Sequence, residues 1–394
     1  MLRSRARILG LVLLSVSIGC GSFAGFQTRV LADERVLSAP SKDPGLILRV
    51  ATWGGPYEAA QREVLFDPFA AVSDISVATV AYTGGLDILQ PGDVPDLVDM
   101  LKAEARRACQ EGLLQSLDID AVLPDDLRAT GKRAPSWQDG LRKFLGSYTP
   151  VDFVTGSLDD CSIAHLSYST VFAYDARAFP GIKPQAIEDF FDTTRFPGKR
   201  AVHRSADDIL EWALMAEGVP LSQIYDLLST ERGLRLAFRR LDALRPSILW
   251  WNTPDEPVRW LADGDVRMAQ GYNGRFFDLR QQGVPVDIVW DGQILDLSVW
   301  AIPTEAEHAA EARQFIRFAL GAEQLAKLAE RIPYGPSRTS AFKRVGVHPS
   351  LGIPMRDQLP TAPHHLDRAL IRDTSWYAST DALRARQFAR WLEE

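Results

Sequence analysis

Cysteine, histidine and long hydrophobic runs are all scarce in this chain of 394 residues. Its 3 cysteines and 6 histidines form no H-E-x-x-H, C-x-x-C or EF-hand pattern, so we expect no metal site. A G-x-S-x-G elbow is absent, and neither a P-loop nor a G-x-G-x-x-G follows a predicted strand. The sequence therefore predicts neither a serine nucleophile nor a nucleotide or other cofactor.

Basic residues are also fewer than acidic ones. The chain has 44 lysines and arginines and 51 aspartates and glutamates, which gives a formal net charge of −7. A protein that binds nucleic acid needs a basic face for the phosphates, so we expect no nucleic-acid partner. The remaining composition, 46% hydrophobic and 24% charged, is that of an ordinary globular protein. The chain is long enough for two domains with separate hydrophobic cores.

The most hydrophobic segment, residues 8–18, is too short to span a membrane and follows three arginines. This pattern is typical of a secretory signal. The small residues that end at Ala32 predict cleavage there, which gives a signal peptide over 1–32 and a polar tether over 33–46. A lipoprotein-like string that ends at Cys20 leaves lipid anchoring as the alternative. Both routes predict a mature protein outside the cytoplasm, and cleavage at Ala32 predicts a periplasmic one.

Without the leader, the chain retains only Cys109 and Cys161. An even pair in an oxidising compartment predicts a disulfide, which would close a loop of about 52 residues and stabilise the fold by roughly 4 kcal/mol. The alternative is a secreted enzyme in which a free Cys161 is the nucleophile beside a base. Pairing is the favoured interpretation, so we expect no catalysis.

Strand-like and helix-like patterns alternate after residue 46. Residues 46–53 read as a buried strand, and Pro56 follows Gly54-Gly55 at the start of a helix. Further strands are predicted at 75–82, 96–100, 163–174 and 283–303. Further helices are predicted at 205–218, where Ser205 to Asp208 read as a capping box, and at 221–229, 231–243, 306–330, 363–371 and 379–392. The alternation predicts parallel βαβ units and an α/β fold.

Aromatic residues concentrate in 250–303, which holds five of the ten tryptophans. The same segment holds Tyr272, Asn273 and Arg275 in the string YNGR, Asp291 in WDGQ and Asp296 in ILDLSVWAIP. Large rings beside carboxylates suit a pocket that stacks on an organic molecule and fixes its charged ends. The alternative is that the rings pack in a core.

A set of short strings, taken in order, carries a family resemblance from about residue 47 to the end. The strings ATWGGPY, FPGKR, ILWWN, LADGDV, YNGR, VWDGQ, WAIP and IPYGP resemble the polyamine-type branch of bacterial extracellular solute-binding proteins. The resemblance implies a receptor with no catalytic step, which holds its ligand between two α/β lobes and delivers it to an ABC permease.

The same resemblance implies a type II-like two-lobe fold in which strands at 163–174 and 294–303 cross between the lobes. Lobe 1 would comprise residues 47–165 and 296–335. Lobe 2 would comprise 166–295 and 336–394. We expect a monomer that closes over a small-molecule ligand.

The resemblance also assigns a pocket. Trp53 matches the ring that stacks on the carbon chain of the ligand, with Tyr57 beside it. Asp208 matches an acid at a helix start that takes an amine, and Tyr272 and Tyr334 match positions that line the cleft.

Departures from the family pattern leave the ligand open. Ser298, like Ser205, stands where polyamine receptors commonly place a carboxylate, whereas Asp296 stands where a tryptophan is common. Asp208, Asp296 and Asp291 would neutralise the ammonium groups of a polyamine-like solute. Arg275 would instead bind the carboxylate of an amino-acid or opine-like ligand, unless it forms a surface ion pair.

Overall fold

The computed structural model describes residues 45–124, 127 and 152–393. The predicted signal peptide, with Cys20 and Ala32, and almost all of the predicted tether lie outside these residues. Among the described helices, none combines the length and the apolar character that crossing a bilayer requires.

The strands form one mixed sheet. They are, in chain order, Ile47–Thr52 (β1), Ser76–Ala81 (β2), Leu97–Leu101 (β3), Leu158–Asp159 (β4), Ser162–Asp175 (β5), Arg200–His203 (β6), Ile248–Trp251 (β7), Met268–Tyr272 (β8), Val286–Ala301 (β9), Gly335–Pro336 (β10) and Leu370–Ile371 (β11). The main strand order is β2-β1-β3-β9-β5-β8-β6-β7. β1 pairs in parallel with β2 and β3, and β6 pairs in parallel with β7 and β8. These two parallel groups are the sheets of lobe 1 and lobe 2.

The long strands β5 and β9 join the two lobes as an antiparallel pair. The C-terminal end of β9, from Ser298 to Ala301, pairs with β3 in lobe 1. The C-terminal part of β5, from Thr170 to Tyr174, pairs with β8 in lobe 2. All residues of β5 are buried, which is expected of a strand covered on both faces. The predicted two-lobe α/β fold with crossing strands is therefore confirmed.

Helices cover both faces of this sheet and bury the apolar stripes that the sequence pattern indicated. They are Gly55–Gln61 (α1), Asp67–Ser73 (α2), Lys102–Gln110 (α3), Ile119–Val122 (α4), Ile187–Phe191 (α5), Ile209–Ala216 (α6), Ile224–Leu228 (α7), Glu231–Leu244 (α8), Asp255–Asp263 (α9), Asn273–Gln281 (α10), Ala309–Ala319 (α11), Ala322–Arg331 (α12), Thr339–Phe342 (α13) and Thr374–Glu393 (α14). A π-helical turn, Arg62–Phe66, connects α1 to α2.

Three helix predictions need correction. The helix predicted at 306–330 is two helices, because the chain breaks at Leu320-Gly321 between α11 and α12. The helix predicted at 363–371 is a 3-10 turn followed by β11, which adds a short parallel strand beside β9. The predicted capping box does not form, since α6 begins after Asp208 and the Asp208 side chain caps nothing.

The disulfide predicted between Cys109 and Cys161 is present, with the two Cα atoms 5.8 Å apart. It ties the end of α3 to the residue before β5. α3 also contacts the C-terminal helix α14, where Arg107 Nη1 lies 2.6 Å from Asp381 Oδ2. The cross-link therefore anchors α3 beside β5, while the ion pair joins the same helix to α14.

Candidate functional site

The crossing strands bring two site residues together at the middle of the sheet. In the β5–β9 ladder Tyr168 lies opposite Asp296, and Tyr168 Oη donates a hydrogen bond to Asp296 Oδ2 at 2.9 Å. The ring of Tyr272, at the end of β8, meets the Tyr168 ring edge-on with centroids 5.8 Å apart. Both rings therefore lie beside the strands that join the two lobes. We refer to Tyr168, Tyr272 and Asp296, together with Asp208, Glu211 and Arg372 described below, as the floor.

Asp208 reaches this floor from lobe 2, in the loop that follows β6. Its backbone has a positive φ of 67°, a strained conformation that occurs most often at functional sites. Thr170 Oγ1 donates to Asp208 Oδ2 at 2.8 Å, and the Asp208 N–H donates to Tyr377 Oη at 3.2 Å. The carboxylate is therefore turned toward β5 and away from the amide groups of α6.

Arg372, which the sequence analysis missed, stands between the two aspartates. Its guanidinium pairs with Asp208, and its Nε lies 2.9 Å from Asp296 Oδ2. The Arg372 side chain is only 8% exposed, and its guanidinium carbon lies 4.2 Å from the centre of the Tyr377 ring. Nothing in the local string predicts this role, because both partners are more than 70 residues away in the chain.

Burial and charge together shift the pKa values of this floor. Burial raises the pKa of Asp208, although the nearby charge of Arg372 opposes that rise. Burial, followed by the charge of Asp208, raises the pKa of Glu211 to about 7. Burial would lower the pKa of Arg372, but Asp208 and its other anionic neighbours raise it well above its ordinary value. Arg372 is therefore permanently charged, while Glu211 gains its charge only near neutral pH.

Glu211 makes the stability of lobe 2 depend on pH. Its pKa rises from an ordinary 4.5 to about 7 on folding, so the folded state holds a proton that the unfolded state releases. The resulting stabilisation is complete below pH 4.5 and is lost as the pH rises through 7. We expect Glu211→Gln, which can still accept from Tyr377 Oη, to be more stable than the wild type, by a margin that grows from pH 5 to pH 8. Urea midpoints at the two pH values measure this margin, and Glu217→Gln at the end of the same helix is the control. An equal margin at both values would contradict the assignment.

Lobe 1 contributes a buried carboxylate, Asp99 on β3, that orders two of the predicted contacts. Tyr57 Oη donates to Asp99 Oδ2 and Ser298 Oγ donates to Asp99 Oδ1, both at 2.5 Å. Gln61 Nε2 adds a third hydrogen bond at 2.8 Å, and His165 Nε2 lies 3.1 Å from Oδ1. Burial raises the Asp99 pKa, but His165 and the hydrogen bonds outweigh it and hold the pKa below its ordinary value. Tyr57 and Ser298 are thus positioned by an ionised acid.

Trp53 lies just beyond the C-terminal end of β1, where open α/β sheets place ligands. Its ring is half-buried and packs on Tyr82, with centroids 4.7 Å apart. Glu104 holds this corner, because it accepts from Tyr82 Oη at 2.8 Å and from the Gly85 N–H at 2.9 Å. The indole is thus a fixed aromatic wall on the lobe 1 side.

The string YNGR at the start of α10 places its residues in different settings. The Asn273 amide is buried and bonded inside the protein at both of its polar atoms, since it accepts from the Ser169 N–H at 3.0 Å and donates to the Pro333 carbonyl at 2.6 Å. Gly274 lets the Tyr334 ring approach, because a Cβ there would lie 2.2 Å from Tyr334 Oη. Tyr334 in turn meets Tyr57 edge-on at 5.8 Å.

Arg275 and Asp291 lie in ion pairs away from the floor. Arg275 Nη1 is 3.1 Å from the largely exposed Asp255, and one-third of the Arg275 side chain is accessible. Asp291 accepts from the Ile187 N–H and pairs with Arg368 at 3.1 Å. None of the contacts of the described residues links Asp291 to Asp208 or Asp296.

The tryptophans of residues 250–303 are mainly packing residues. Trp300 is fully buried and stacks on His165, and Trp290 stacks on His365. Trp250 packs against Phe388 of α14. Trp251 meets the Tyr272 ring edge-on, with ring centroids 6.4 Å apart. The structure therefore favours the core interpretation of this group. Among the described residues, no set of three or more His, Cys, Asp or Glu side chains is arranged to hold a metal ion.

Two α/β lobes, crossing strands and a charged, ring-lined floor between the lobes define a receptor of the periplasmic binding-protein class. Residues 68–350 match the model of the bacterial extracellular solute-binding protein family, and the chain belongs to that family. It is accordingly the solute-binding component of an ABC transporter and not an enzyme.

Individual relatives differ in what their names say they bind. The chain is 32% identical over 349 residues to the gamma-aminobutyric acid-binding protein of Pseudomonas aeruginosa. This match covers 87% of this chain and 90% of that protein. It is 26% identical over 190 residues to the spermidine/putrescine-binding periplasmic protein of Escherichia coli, which covers 47% of this chain and 52% of that protein.

Solved structures show the same fold. An ABC transporter substrate-binding protein from Bradyrhizobium japonicum superposes with a TM-score of 0.75 at 24% identity, over 88% of this chain and 99% of that one. The binding protein MotA of A. tumefaciens B6, solved with glucopine, superposes with a TM-score of 0.74 at 22% identity, over 88% of this chain and 99% of that one.

Proposed function

We propose that this receptor captures a small solute that carries an ammonium group and a separate carboxylate, as in 4-aminobutyrate, and delivers it to an ABC permease outside the cytoplasm. The observation that carries the proposal is the mixed charge of the floor, where Asp208 and Asp296 lie within ion-pair distance of Arg372. Such a floor suits an amine better than a purely anionic solute, since each buried ammonium needs a carboxylate partner.

The side chains around the floor support the same solute class. Trp53 offers a flat apolar face for a short carbon chain, and Tyr272 lies close enough to Asp208 for that charge to help raise the tyrosine pKa. Arg275 remains the proposed partner of the carboxylate at the edge of the cleft. It is close enough to Tyr334 for its charge to oppose the rise that burial causes in the tyrosine pKa, and its surface ion pair with Asp255 contributes little and is easily exchanged. The gamma-aminobutyric acid-binding relative, which matches most of the chain, supports this solute class over a polyamine.

The lobe boundaries also remain proposals. We keep the predicted crossings near residues 165 and 296, because these positions lie within β5 and β9. Val345, Met355 and Leu359 share a core with Phe66, so we propose that the chain returns to lobe 2 near residue 360 instead of 336.

A thermal-shift panel tests the proposed solute class. It compares 4-aminobutyrate with butyrate, which lacks the amine, with butylamine, which lacks the carboxylate, and with putrescine and spermidine. We expect 4-aminobutyrate to raise the melting temperature most, because a ligand at about 100 times its Kd stabilises by about 2.7 kcal/mol. If putrescine or spermidine gives the larger shift, the solute is a polyamine, and if no amine gives a shift, the proposal fails.

A further inference from the structure

We propose that Arg372 is an internal counter-ion that sets the charge of the solute and makes the cleft complementary to one ammonium group instead of two. The inference rests on the proposed function and deepens it, because it names the residue that selects between an amino acid and a diamine.

The buried groups of the floor are unbalanced in charge. Asp208, Asp296 and Glu211 are each at least nine-tenths buried, and the buried cation that faces them is Arg372. Arg384 also lies against the Tyr377 ring, but its charge is offset by a different acid, because its Nη2 lies 3.1 Å from Asp207 Oδ1. The guanidinium offsets one of the two aspartates, and burial raises the pKa of Glu211 to about 7, so Glu211 is largely protonated below neutral pH. The floor then keeps the charge of one carboxylate, which a single ammonium would neutralise.

Arg372 is held in place as part of the scaffold. Its backbone N–H donates to the Leu295 carbonyl at 2.9 Å, which extends the pairing of β11 with β9. Its guanidinium lies against the Tyr377 ring at 4.2 Å, a cation–π contact that is stronger when desolvated. A second ligand cation would have to displace this group or lie beside it, and both are unfavourable in a buried site.

The two aspartates nevertheless retain acceptor positions for an ammonium group. Thr170 donates to Asp208 Oδ2, and Arg372 pairs with Asp208 Oδ1. Tyr168 donates to Asp296 Oδ2, which also forms the ion pair with Arg372 Nε, and the Leu297 N–H donates to Asp296 Oδ1 at 2.7 Å. Because a carboxylate offers about four acceptor positions, each aspartate can accept one more donor. One ammonium, with its positive charge and three donors, complements these acceptor positions in charge and number.

Isothermal titration of wild type, Arg372→Gln and Arg372→Lys with 4-aminobutyrate and putrescine tests the inference. In Arg372→Gln we expect the dissociation constant for putrescine to fall relative to that for 4-aminobutyrate, by roughly tenfold or more. Arg372→Lys keeps the charge and should keep the wild-type preference. The control is Arg384→Gln, which removes a buried arginine from the same ring and should leave the ratio unchanged.

A charge-balanced double variant separates this role from a direct contact between Arg372 and the ligand carboxylate. Arg372→Gln with Asp296→Asn has the wild-type net charge, so it should regain preference for the single amine and should fold even if the single variant does not. If the double variant folds and keeps the putrescine preference of Arg372→Gln, or if neither variant changes the ratio, Arg372 is not the counter-ion. A wild type that binds no amine would refute the proposed function itself, whereas a wild type that binds an amine with an unaltered ratio refutes only the counter-ion.

Discussion

Serine at both Cys109 and Cys161 is expected to lower the free energy of unfolding by about 4 kcal/mol. The disulfide closes a sequence separation of 52 residues, and the chain-entropy model assigns that magnitude to a loop of this length. Cys161 is buried in a core with Ala105 and Val299, so serine there also places a hydroxyl among apolar groups. Both effects act in the same direction.

Urea unfolding followed by circular dichroism measures this loss, with the m-value as a check that the unfolded state stays comparable. Wild type in reducing buffer is the matched comparison, because it breaks the same bond without altering composition. Titration of the denatured, unreduced protein should find no free thiol at these positions. A stability change within about 1 kcal/mol for both reduction and substitution would contradict the loop-closure argument.

Much of the fold was predictable because its signals are local. The run from Ser162 to Asp175 is rich in β-branched and aromatic residues, and it forms the buried crossing strand that the pattern indicated. The helices at 221–244 follow their apolar periodicity. Gly321 was the missed signal in the helix predicted at 306–330, since it caps α12 with an extended ψ and ends the continuous helix.

The charged floor was predictable only in part because its partners are distant in sequence. Asp208 was identified as a pocket residue, but its local string read as a helix cap. The structure resolves this conflict, because Thr170 and Arg372 supply stronger partners than the amides of α6. Asp99 escaped notice for the same reason, since it lies within a short apolar strand and all of its partners come from other elements.

Arg372 illustrates the limit most clearly. Its neighbours in sequence, Leu370 and Ile371, form a two-residue strand where a helix was predicted. Without that strand no local rule places the guanidinium beside Asp296, since the contact depends on the parallel register of β11 with β9. The pairing of this buried cation with two carboxylates can be recognised only in the folded structure, where β11 lies beside β9.

Asp208→Asn is expected to weaken binding of an amine-bearing solute by tenfold or more, which is about 1.4 kcal/mol or above. Asparagine keeps the shape of the side chain and tolerates the positive φ of 67°, so the loop should be preserved. The substitution removes one of the two carboxylates that face Arg372, and the remaining charge of Asp296 is then fully offset by the guanidinium. The floor loses the excess negative charge that an ammonium group requires.

Asp207→Asn is the matched control for that experiment, because it changes the adjacent carboxylate, which is one-third exposed and pairs with Arg384 away from Asp296. Isothermal titration with 4-aminobutyrate should give wild-type affinity for Asp207→Asn and weak binding for Asp208→Asn, with both melting temperatures measured without ligand. Equal loss in the two variants would mean that binding responds only to the general negative charge of the loop. Unchanged affinity in Asp208→Asn would remove this residue from the pocket, and since the mixed-charge floor depends on it, the proposed amine site would have to move toward Asp99 in lobe 1.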